Sequence, residues 1–299
     1  MALPTSLPTS LPTSPSTSPS ASPSAALGGP VELHERPLPD APPASGPLLP
    51  TEPAPVGHRG EANWERRRAE LMARAIPPSY RPLPHLLVPS TLGFLGITAS
   101  LLLVRELRAV ELWTIPLTFL AGLGFEWRVH KDLLHRRLPP FQGLYERHEL
   151  SHHVVFPEAD MGIRSWREIG LVLIPKGAIV GVFFMLLPLA LVLAALGSRN
   201  VALLFVATGL LFFLVYEWMH LLYHLPAESW LGRRGWVAAL RTLHQRHHNP
   251  GRMKRWNFNV TLPVFDFLHG TLWSPAREAA RDAAARRKAA RRGEAKAAG

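Results

Sequence analysis

Four long apolar runs dominate the hydrophobic pattern, at residues 86–104, 112–125, 169–196 and 201–218. A membrane-spanning helix needs about 20 predominantly apolar residues, which the first and third runs supply. The second is interrupted by Pro116, the third contains Lys176, which can snorkel from near one end, and the fourth has Glu217 at its far end. We therefore predict an all-α integral membrane protein with four transmembrane helices in two hairpins, closed by short loops at residues 105–110 and 197–200.

Cations are distributed unequally on the two sides of these predicted spans. The two closing loops contain three of them: Arg105, Arg108 and Arg199. The opposite side holds many more: Arg66, Arg67, Arg68, Arg128, Lys131, Arg136, Arg137, Arg147, Arg164 and Arg167. The excess of cations in cytoplasmic segments predicts that this side, with both termini, faces the cytoplasm.

Composition divides the chain into four regions. Residues 1–57 contain fifteen of the thirty prolines and open with Leu-Pro-Thr-Ser three times, so we expect a disordered tail. Residues 58–83 form a charged pre-membrane segment suited to the membrane surface. Residues 84–274 are the membrane-embedded core. Residues 275–299 are a basic tail of Ala, Arg and Lys, expected to be solvated or to lie on the lipid surface.

Net charge and cysteine content exclude several classes of protein. The net charge of +11 is explained by membrane topology and anionic headgroups, and no nucleic-acid motif accompanies it, so no nucleic-acid partner is predicted. The chain has no cysteine. This excludes disulfides, thiolate zinc sites, iron–sulfur clusters and thiolate-bound haem within the chain. Any metal must be held by nitrogen and oxygen, and any electrons must come from another protein.

Ten of the fourteen histidines fall into four tight groups, all on the predicted cytoplasmic side. The groups are His130 and His135; His148, His152 and His153; His220 and His224; and His244, His247 and His248. Neutral imidazole is the commonest protein ligand for transition metals. Ten imidazoles are too many for one ion, so the pattern predicts two metals in a helical cap below the bilayer.

Helical geometry predicts which histidines can share a metal. At about 100° per residue, His220 and His224 lie roughly 40° apart and can bind one ion. His148 and His152 are separated by the same angle, and His153 is rotated by about 100° more.

The other two groups fan more widely. His244, His247 and His248 spread over roughly 100° of a helix. His130 and His135 lie about 140° apart, too far for one ion without distortion. Ligands fanned in this way can reach two neighbouring metals.

Carboxylates near the groups can orient the imidazoles. The candidates are Asp132, Glu149, Asp160, Glu217 and Asp266. We favour Asp160 and Asp266 in this role. Among the remaining histidines, His34, His58 and His85 are assigned no metal, and the role of His269 stays open.

A histidine-rich, cysteine-free site suits iron, zinc or copper. Zinc serves hydrolysis with three protein ligands and an open position, which does not need ten histidines. Two irons can activate O2 and attack an unactivated C–H bond.

The order of the four groups on paired membrane helices resembles the fatty acid hydroxylase / sterol desaturase superfamily of integral-membrane, non-haem diiron oxygenases. The segments that carry the resemblance are "EWRVHKDLLHR", "YERHELSHHVVFPEAD", "YEWMHLLYHLP" and "LHQRHHNP", followed by "NFNVTLPVFDFLHGT". It covers residues 84–274, which it identifies as the catalytic domain. It implies that all ten grouped histidines bind two irons, for which zinc can substitute. It further implies O2 as cosubstrate.

Three departures from the family pattern limit what can be said of the substrate. The second group is H-x3-H-H where fatty acid 2-hydroxylases usually have H-x2-H-H. Asn259 stands where glycine is common, and His269 where an aromatic residue often precedes Gly-Thr. No cytochrome b5 domain precedes the core, so we expect a separate electron carrier of ferredoxin or cytochrome type.

The predicted activity is O2-dependent hydroxylation or desaturation of a lipid. A fatty acyl chain, sterol, carotenoid or alkyl ether would each fit. The alternative is a membrane metal-handling or electron-transfer protein without turnover. Transport would predict polar residues lining the spans, yet the apolar runs contain almost none outside Glu111 and Lys176.

Overall fold

The computed structural model describes residues 58–297, with side chains described for residues 61–293. The predicted disordered tail, His34 and the side chain of His58 lie outside the described residues. The described part is all-helical and contains no strand, which confirms the predicted all-α class. The main helices are α1 (His58–Ala75), α2 (Pro82–Leu102), α3 (Thr114–Val129), α4 (Ala178–Leu196), α5 (Arg199–His224), α6 (Gly235–His247) and α7 (Pro275–Ala297).

Short helical segments connect these helices and carry part of the candidate site. Two are π-helical turns, His130–Leu134 and Glu146–His152. The others are single α or 3₁₀ turns: Ala109–Trp113, Pro139–Phe141, Gln142–Tyr145, His153–Val155, Trp166–Glu168, Ile169–Val172 and Val264–Leu268.

Three of the helices between residues 58 and 297 are long and apolar enough to cross a membrane: α2, α4 and α5. They correspond to the first, third and fourth predicted spans. Many of their apolar side chains face outward; Leu95 is 60% exposed and Phe184 is 69% exposed. Such exposure suits contact with lipid rather than water. α3 has 16 residues, so the four-span topology stays a prediction.

The third predicted span begins later than its apolar run. The helical turn Ile169–Val172 ends before residues 173–177, and α4 starts at Ala178. Both carboxylate oxygens of Glu217 lie within hydrogen-bonding distance of the Ile174 N–H, the nearer at 3.1 Å. The Arg147 guanidinium donates to the Leu173 carbonyl at 2.9 Å. Polar side chains thus hold this segment in a non-helical form that hydrophobicity does not predict.

α5 is the central helix, in contact with α2, α3, α4 and α6. Glycines allow the close approach: a Cβ at Gly93 of α2 would lie 2.9 Å from the Leu214 side chain, and one at Gly122 of α3 would lie 2.8 Å from Phe212. Small residues at membrane helix contacts let neighbouring helices pack closely. This packing brings together the ends of α3 and α5 that lead into the histidine groups.

The closing loops are joined by a buried carboxylate. Glu111 is 3% exposed and accepts hydrogen bonds from the Ser198 hydroxyl at 2.5 Å and the Asn200 amide at 2.9 Å. Arg108 donates to it from its backbone N–H at 2.9 Å. The loop before α3 is therefore fixed to the start of α5.

The two segments outside the predicted core, α1 and α7, are both anchored to the segments that carry the histidine groups and lie outside α2, α4 and α5, which we call the cap. The Trp64 indole of α1 donates to the Val154 carbonyl at 2.9 Å, directly after the second histidine group. Glu278 of α7 pairs with Arg252 at 3.1 Å, and the Arg281 guanidinium lies 5.0 Å from the centre of the Trp256 ring. The first turns of α7 are thus bound to the protein. The expectation that residues 275–299 are solvated or lie on the lipid surface stays a prediction for the rest of the segment.

Candidate metal centre

The ten grouped histidines are all buried and, within the described residues, form two groups of five. The first group comprises His130, His135, His148, His153 and His247. The second comprises His152, His220, His224, His244 and His248. Within each group, one ring nitrogen of every member lies within 4.8 Å of the others. The structure therefore brings together all ten residues that the sequence singles out.

The two groups exchange one histidine between the early and the late part of the sequence. His247 joins four histidines from residues 130–153, and His152 joins four from residues 220–248. The adjacent residues His152 and His153 therefore belong to different groups, as do His247 and His248. This exchange ties the two groups into one centre.

Two π-helical turns explain why histidines five residues apart share a group. A π-helix bonds residue i to i+5, so side chains five apart lie on one face. The turns at His130–Leu134 and Glu146–His152 place His130 with His135 and His148 with His153. The prediction that His148 pairs with His152 is wrong because it assumed an α-helix.

The remaining α-helical pairs follow the ordinary spacing. His220 and His224 on α5 share the second group, as predicted. His244 and His248, also four residues apart, join them there. His247 points to the first group from the same helix.

Backbone carbonyls fix the orientation of five imidazoles. The Nδ1 atoms donate to carbonyl oxygens as follows: His130 to Phe258, His152 to Leu171 at 3.1 Å, His224 to Met161 at 2.7 Å, His247 to Trp256 at 2.8 Å and His248 to Phe156. A carbonyl only accepts, so Nδ1 carries the proton. In a neutral ring Nε2 is then an unprotonated acceptor.

The Nε2 atoms of His135 and His247 lie close together although neither carries a proton. His135 donates from Nδ1 to a Glu149 carboxylate oxygen at 3.0 Å, and His247 donates to the Trp256 carbonyl. Both Nε2 atoms therefore present lone pairs, yet they lie 3.0 Å apart. Two lone pairs repel and cannot form a hydrogen bond, whereas a shared cation turns both into ligands.

Similar Nε2 contacts occur elsewhere in both groups. They are His130 to His148 at 2.9 Å, His153 to His148 at 3.1 Å, His224 to His244 at 3.3 Å and His248 to His244 at 3.0 Å. The buried Nε2 of His152 has no hydrogen-bond partner. An all-nitrogen donor set of this kind fits a borderline transition-metal ion such as iron or zinc.

Burial keeps the imidazoles of the cap neutral. Desolvation lowers the pKa of His148, His152 and His244 well below 6.5, and neighbouring histidines lower it further. Desolvation likewise lowers the pKa of His248 to about 3. The rings are therefore in the metal-binding form at neutral pH.

Among the residues whose side chains are described, Glu149 is the carboxylate that contacts a histidine of the groups directly. One oxygen accepts from His135 Nδ1, and the other accepts from Lys254 Nζ at 2.8 Å and the Tyr145 hydroxyl at 3.1 Å. Burial opposes ionisation, but the hydrogen bonds from His135 and Lys254 lower the pKa of Glu149 overall. Glu149 is thus a carboxylate at neutral pH, in position to orient His135.

The two acids favoured from sequence occupy other positions. Asp160 is 40% exposed and pairs with Arg164 at 2.5 Å, so its carboxylate is turned to the surface and not to an imidazole. Asp266 is buried and accepts from the backbone N–H groups of Phe258 at 2.9 Å and Asn259 at 2.7 Å. It acts on His130 only indirectly, by holding the segment that presents the Phe258 carbonyl.

Glu126 supports the same segment and was missed from sequence. Its side chain is buried and accepts from the backbone N–H groups of Val260 and of Thr261, the latter at 2.9 Å. A charged residue in an apolar helix, one turn before His130, is the signal that could have revealed it. Of the other candidates, Asp132 pairs with Arg128 at 2.8 Å.

Two further described histidines lie outside both groups. His269 stacks on Trp127 with ring centres 4.2 Å apart and is exposed. His85 bonds to the Tyr80 hydroxyl at 2.7 Å and the Ile174 carbonyl at 2.8 Å. Neither is placed to complete the centre.

Comparison with known proteins agrees with this geometry. The family model for fatty acid hydroxylases matches residues 115–271, more than half of the chain and the part that contains all ten histidines. The chain therefore belongs to the fatty acid hydroxylase family, and membership supports lipid hydroxylation as its general activity.

A solved structure, described as full-length scs7p with only the hydroxylase domain visible, is similar at 19% identity. The match covers 64% of this chain and 67% of that one, with a TM-score of 0.45. No curated protein matches the chain.

Proposed function

We propose that the protein is an integral-membrane diiron enzyme that uses O2 to hydroxylate or desaturate a lipid. The observation that carries the proposal is the pair of five-imidazole groups, in which Nε2 atoms approach each other at 2.9–3.3 Å. In the His135–His247 pair, at 3.0 Å, both Nε2 atoms present lone pairs. The first group would hold one iron and the second the other. Zinc could occupy the same nitrogen ligands.

Bound iron would supply the activation of O2 and the attack on an unactivated C–H bond, chemistry that protein side chains do not provide. The protein side chains and carbonyls would orient the ligands and keep the site buried. The Phe258, Leu171 and Trp256 carbonyls hold the imidazoles in one tautomer, and the Glu149 carboxylate does so for His135. Burial keeps the rings neutral and limits access of bulk water.

A lipid is the substrate class that the position of the centre favours. α3 runs directly into His130, and α5 contains His220 and His224 in its last turns. A fatty acyl chain, sterol, carotenoid or alkyl ether within the bilayer would lie beside these helix ends. In this proposal residues 84–274 are the catalytic domain, and the cap and both termini lie in the cytoplasm.

A metal-handling or electron-transfer protein would use the same ligands without turnover. Product formation separates the two functions. We expect lipid extracts from cells expressing the protein to contain an oxygenated or desaturated lipid that is absent from empty-vector cells.

Matched histidine variants test whether the centre makes that product. His152→Ala and His247→Ala each remove a ligand from one group and should abolish the product, while His269→Ala should leave it near the wild-type amount. Insertion into the membrane is monitored in parallel, as a control for folding. A full yield from either ligand variant would contradict the proposal, and metal-loaded wild-type protein without any product would favour the alternative.

A further inference from the structure

One path of side chains leads from the first histidine group to the protein surface. His135 donates to Glu149 at 3.0 Å, and Glu149 accepts from Lys254 at 2.8 Å. The His135 and Glu149 side chains are 1% exposed, whereas that of Lys254 is 55% exposed. Two hydrogen bonds therefore separate a buried candidate ligand from solvent.

A second path ends close to the first. His247, in the same group, donates to the Trp256 carbonyl at 2.8 Å. The exposed Arg281 guanidinium lies over the Trp256 ring, 5.0 Å from its centre, and donates to the Arg255 carbonyl at 3.4 Å. Lys254 and Trp256 are two residues apart, so both paths reach one area.

The second group has no comparable path through side chains among the described residues. Its Nδ1 donors end on the carbonyls of Phe156, Met161 and Leu171, whose residues are 0%, 2% and 3% exposed. Side-chain hydrogen bonds therefore connect the first group to the protein surface, and they do not connect the second group in this way.

The surface at the end of these paths is basic. It includes Lys254, Arg255 and Arg281, together with Arg137, which acts electrostatically on the Tyr145 hydroxyl beside Glu149. All four cations are exposed, and two of them are paired: Lys254 with Glu149 at 2.8 Å and Arg255 with Asp282 at 3.1 Å. They lie outside the helices long enough to span a membrane. We call these four residues the Lys254 face.

We propose that the Lys254 face docks an acidic one-electron carrier protein, which reduces the centre through the first histidine group. The proposal rests on the proposed function. Hydroxylation consumes one O2, two electrons and two protons, and yields the alcohol and one water. Each turnover then oxidises two carrier molecules by one electron each. Opposite charge steers such partners together. A carrier bound at the Lys254 face would be separated from His135 by only the Glu149 and Lys254 side chains.

Binding of a carrier can be measured without turnover. Purified protein in neutral phosphatidylcholine nanodiscs would be titrated with an acidic [2Fe–2S] ferredoxin and with the acidic soluble domain of a cytochrome b5. Basic cytochrome c is the control. We expect at least one acidic carrier to bind, more weakly as salt is raised, and cytochrome c not to bind. Failure of both acidic carriers to bind would overturn the proposal.

Charge reversal locates the site. Arg137→Glu combined with Arg281→Glu should raise the Kd for the carrier about tenfold or more, the equivalent of about 1.4 kcal/mol. The matched control is Arg291→Glu with Arg292→Glu, on α7 and about 15 Å beyond Arg281, which should leave the Kd nearly unchanged. Equal weakening in both pairs would show nonspecific attraction and overturn the proposal.

Two further readouts separate the alternatives. In one outcome the Arg137→Glu/Arg281→Glu variant binds the carrier with the Kd of the wild type. If phosphatidylglycerol nanodiscs also stabilised this variant less than they stabilise the wild type, the face would bind lipid headgroups and not the carrier. Product formed with dithionite as reductant should be equal in wild type and variant, because only carrier docking is changed. Absence of product with every reductant would contradict the proposed function, while the binding data would still decide the docking site.

Discussion

At the scale of single residues, the centre depends on which partner each imidazole nitrogen has. The acceptors that hold the Nδ1 proton commit Nε2 to act as an acceptor, and the Glu149 carboxylate does this for His135. Glu149→Ala should weaken metal binding at the first group by roughly 10- to 100-fold, since the ring loses its orienting acceptor. The measurement is competition for metal against a chelator of known affinity.

Asp160→Ala is the matched control, because Asp160 pairs with Arg164 at the surface. It should bind metal as the wild type does. The assignment of Glu149 would be contradicted if Asp160→Ala bound metal more weakly than Glu149→Ala does.

The buried histidines also predict how stability depends on pH. In metal-free protein the pKa of His248 is lowered by burial from 6.5 to about 3. Between these values the unfolded chain binds the proton and the folded chain does not. The contribution of neutral His248 to the free energy of unfolding is therefore complete above about pH 6.5 and is lost as the pH falls towards 3.

Thermal unfolding of metal-free protein checks this sign. The Tm should stay level above about pH 6.5 and fall on acidification, less steeply in His248→Ala. A Tm that rises between pH 7 and pH 5 would contradict the buried, neutral state of the site.

Sequence could identify the ligands more readily than their partners. Ten histidines are visible from spacing alone. The carbonyls of Phe258, Trp256 and Leu171 carry no sequence signal, because every residue has one. The preference for Asp160 over Glu149 failed for the same reason, since burial and direction of a carboxylate depend on the fold.

At the scale of elements, α1 is held to the cap by a buried ion pair. Arg68 and Glu168 lie 2.5 Å apart, with side chains 10% and 5% exposed. Arg68→Ala leaves the buried Glu168 carboxylate without its charged partner and should destabilise the protein by about 3–5 kcal/mol. Arg164→Ala, which breaks exposed pairs with Glu65 and Asp160, should cost less, about 1 kcal/mol.

Unfolding in detergent compares the two variants directly. Arg68→Ala should have a clearly lower Tm than Arg164→Ala. Equal values would show that α1 contributes little to the stability of the cap.

Element geometry explains what periodicity missed. α-helical spacing predicted the pairing of His220 with His224 but failed for His148, because the π-helical turn Glu146–His152 changes the angle per residue. The third apolar run likewise gave no sign of the break at residues 173–177. Polar side chains from elsewhere in the chain, Arg147 and Glu217, bind that segment, and such long-range contacts have no local pattern.

At the scale of the whole molecule, two distant histidine-bearing segments, residues 130–153 and 220–248, form one centre. His247 completes the first group and His152 the second, so neither segment builds a site alone. The sequence predicted the all-helical class, the family and a need for two metals. It did not predict this exchange, because the exchange depends on how α6 and the Glu146–His152 turn meet.

Iron content and Mössbauer spectra of protein grown on iron-57 test the central proposal most directly. We predict about two irons per chain in a coupled, haem-free, nitrogen-rich environment, as two five-histidine groups require. His152→Ala and His247→Ala should each lower the content towards one. Haem, or a single iron or none in folded, fully loaded wild-type protein, would contradict the diiron centre.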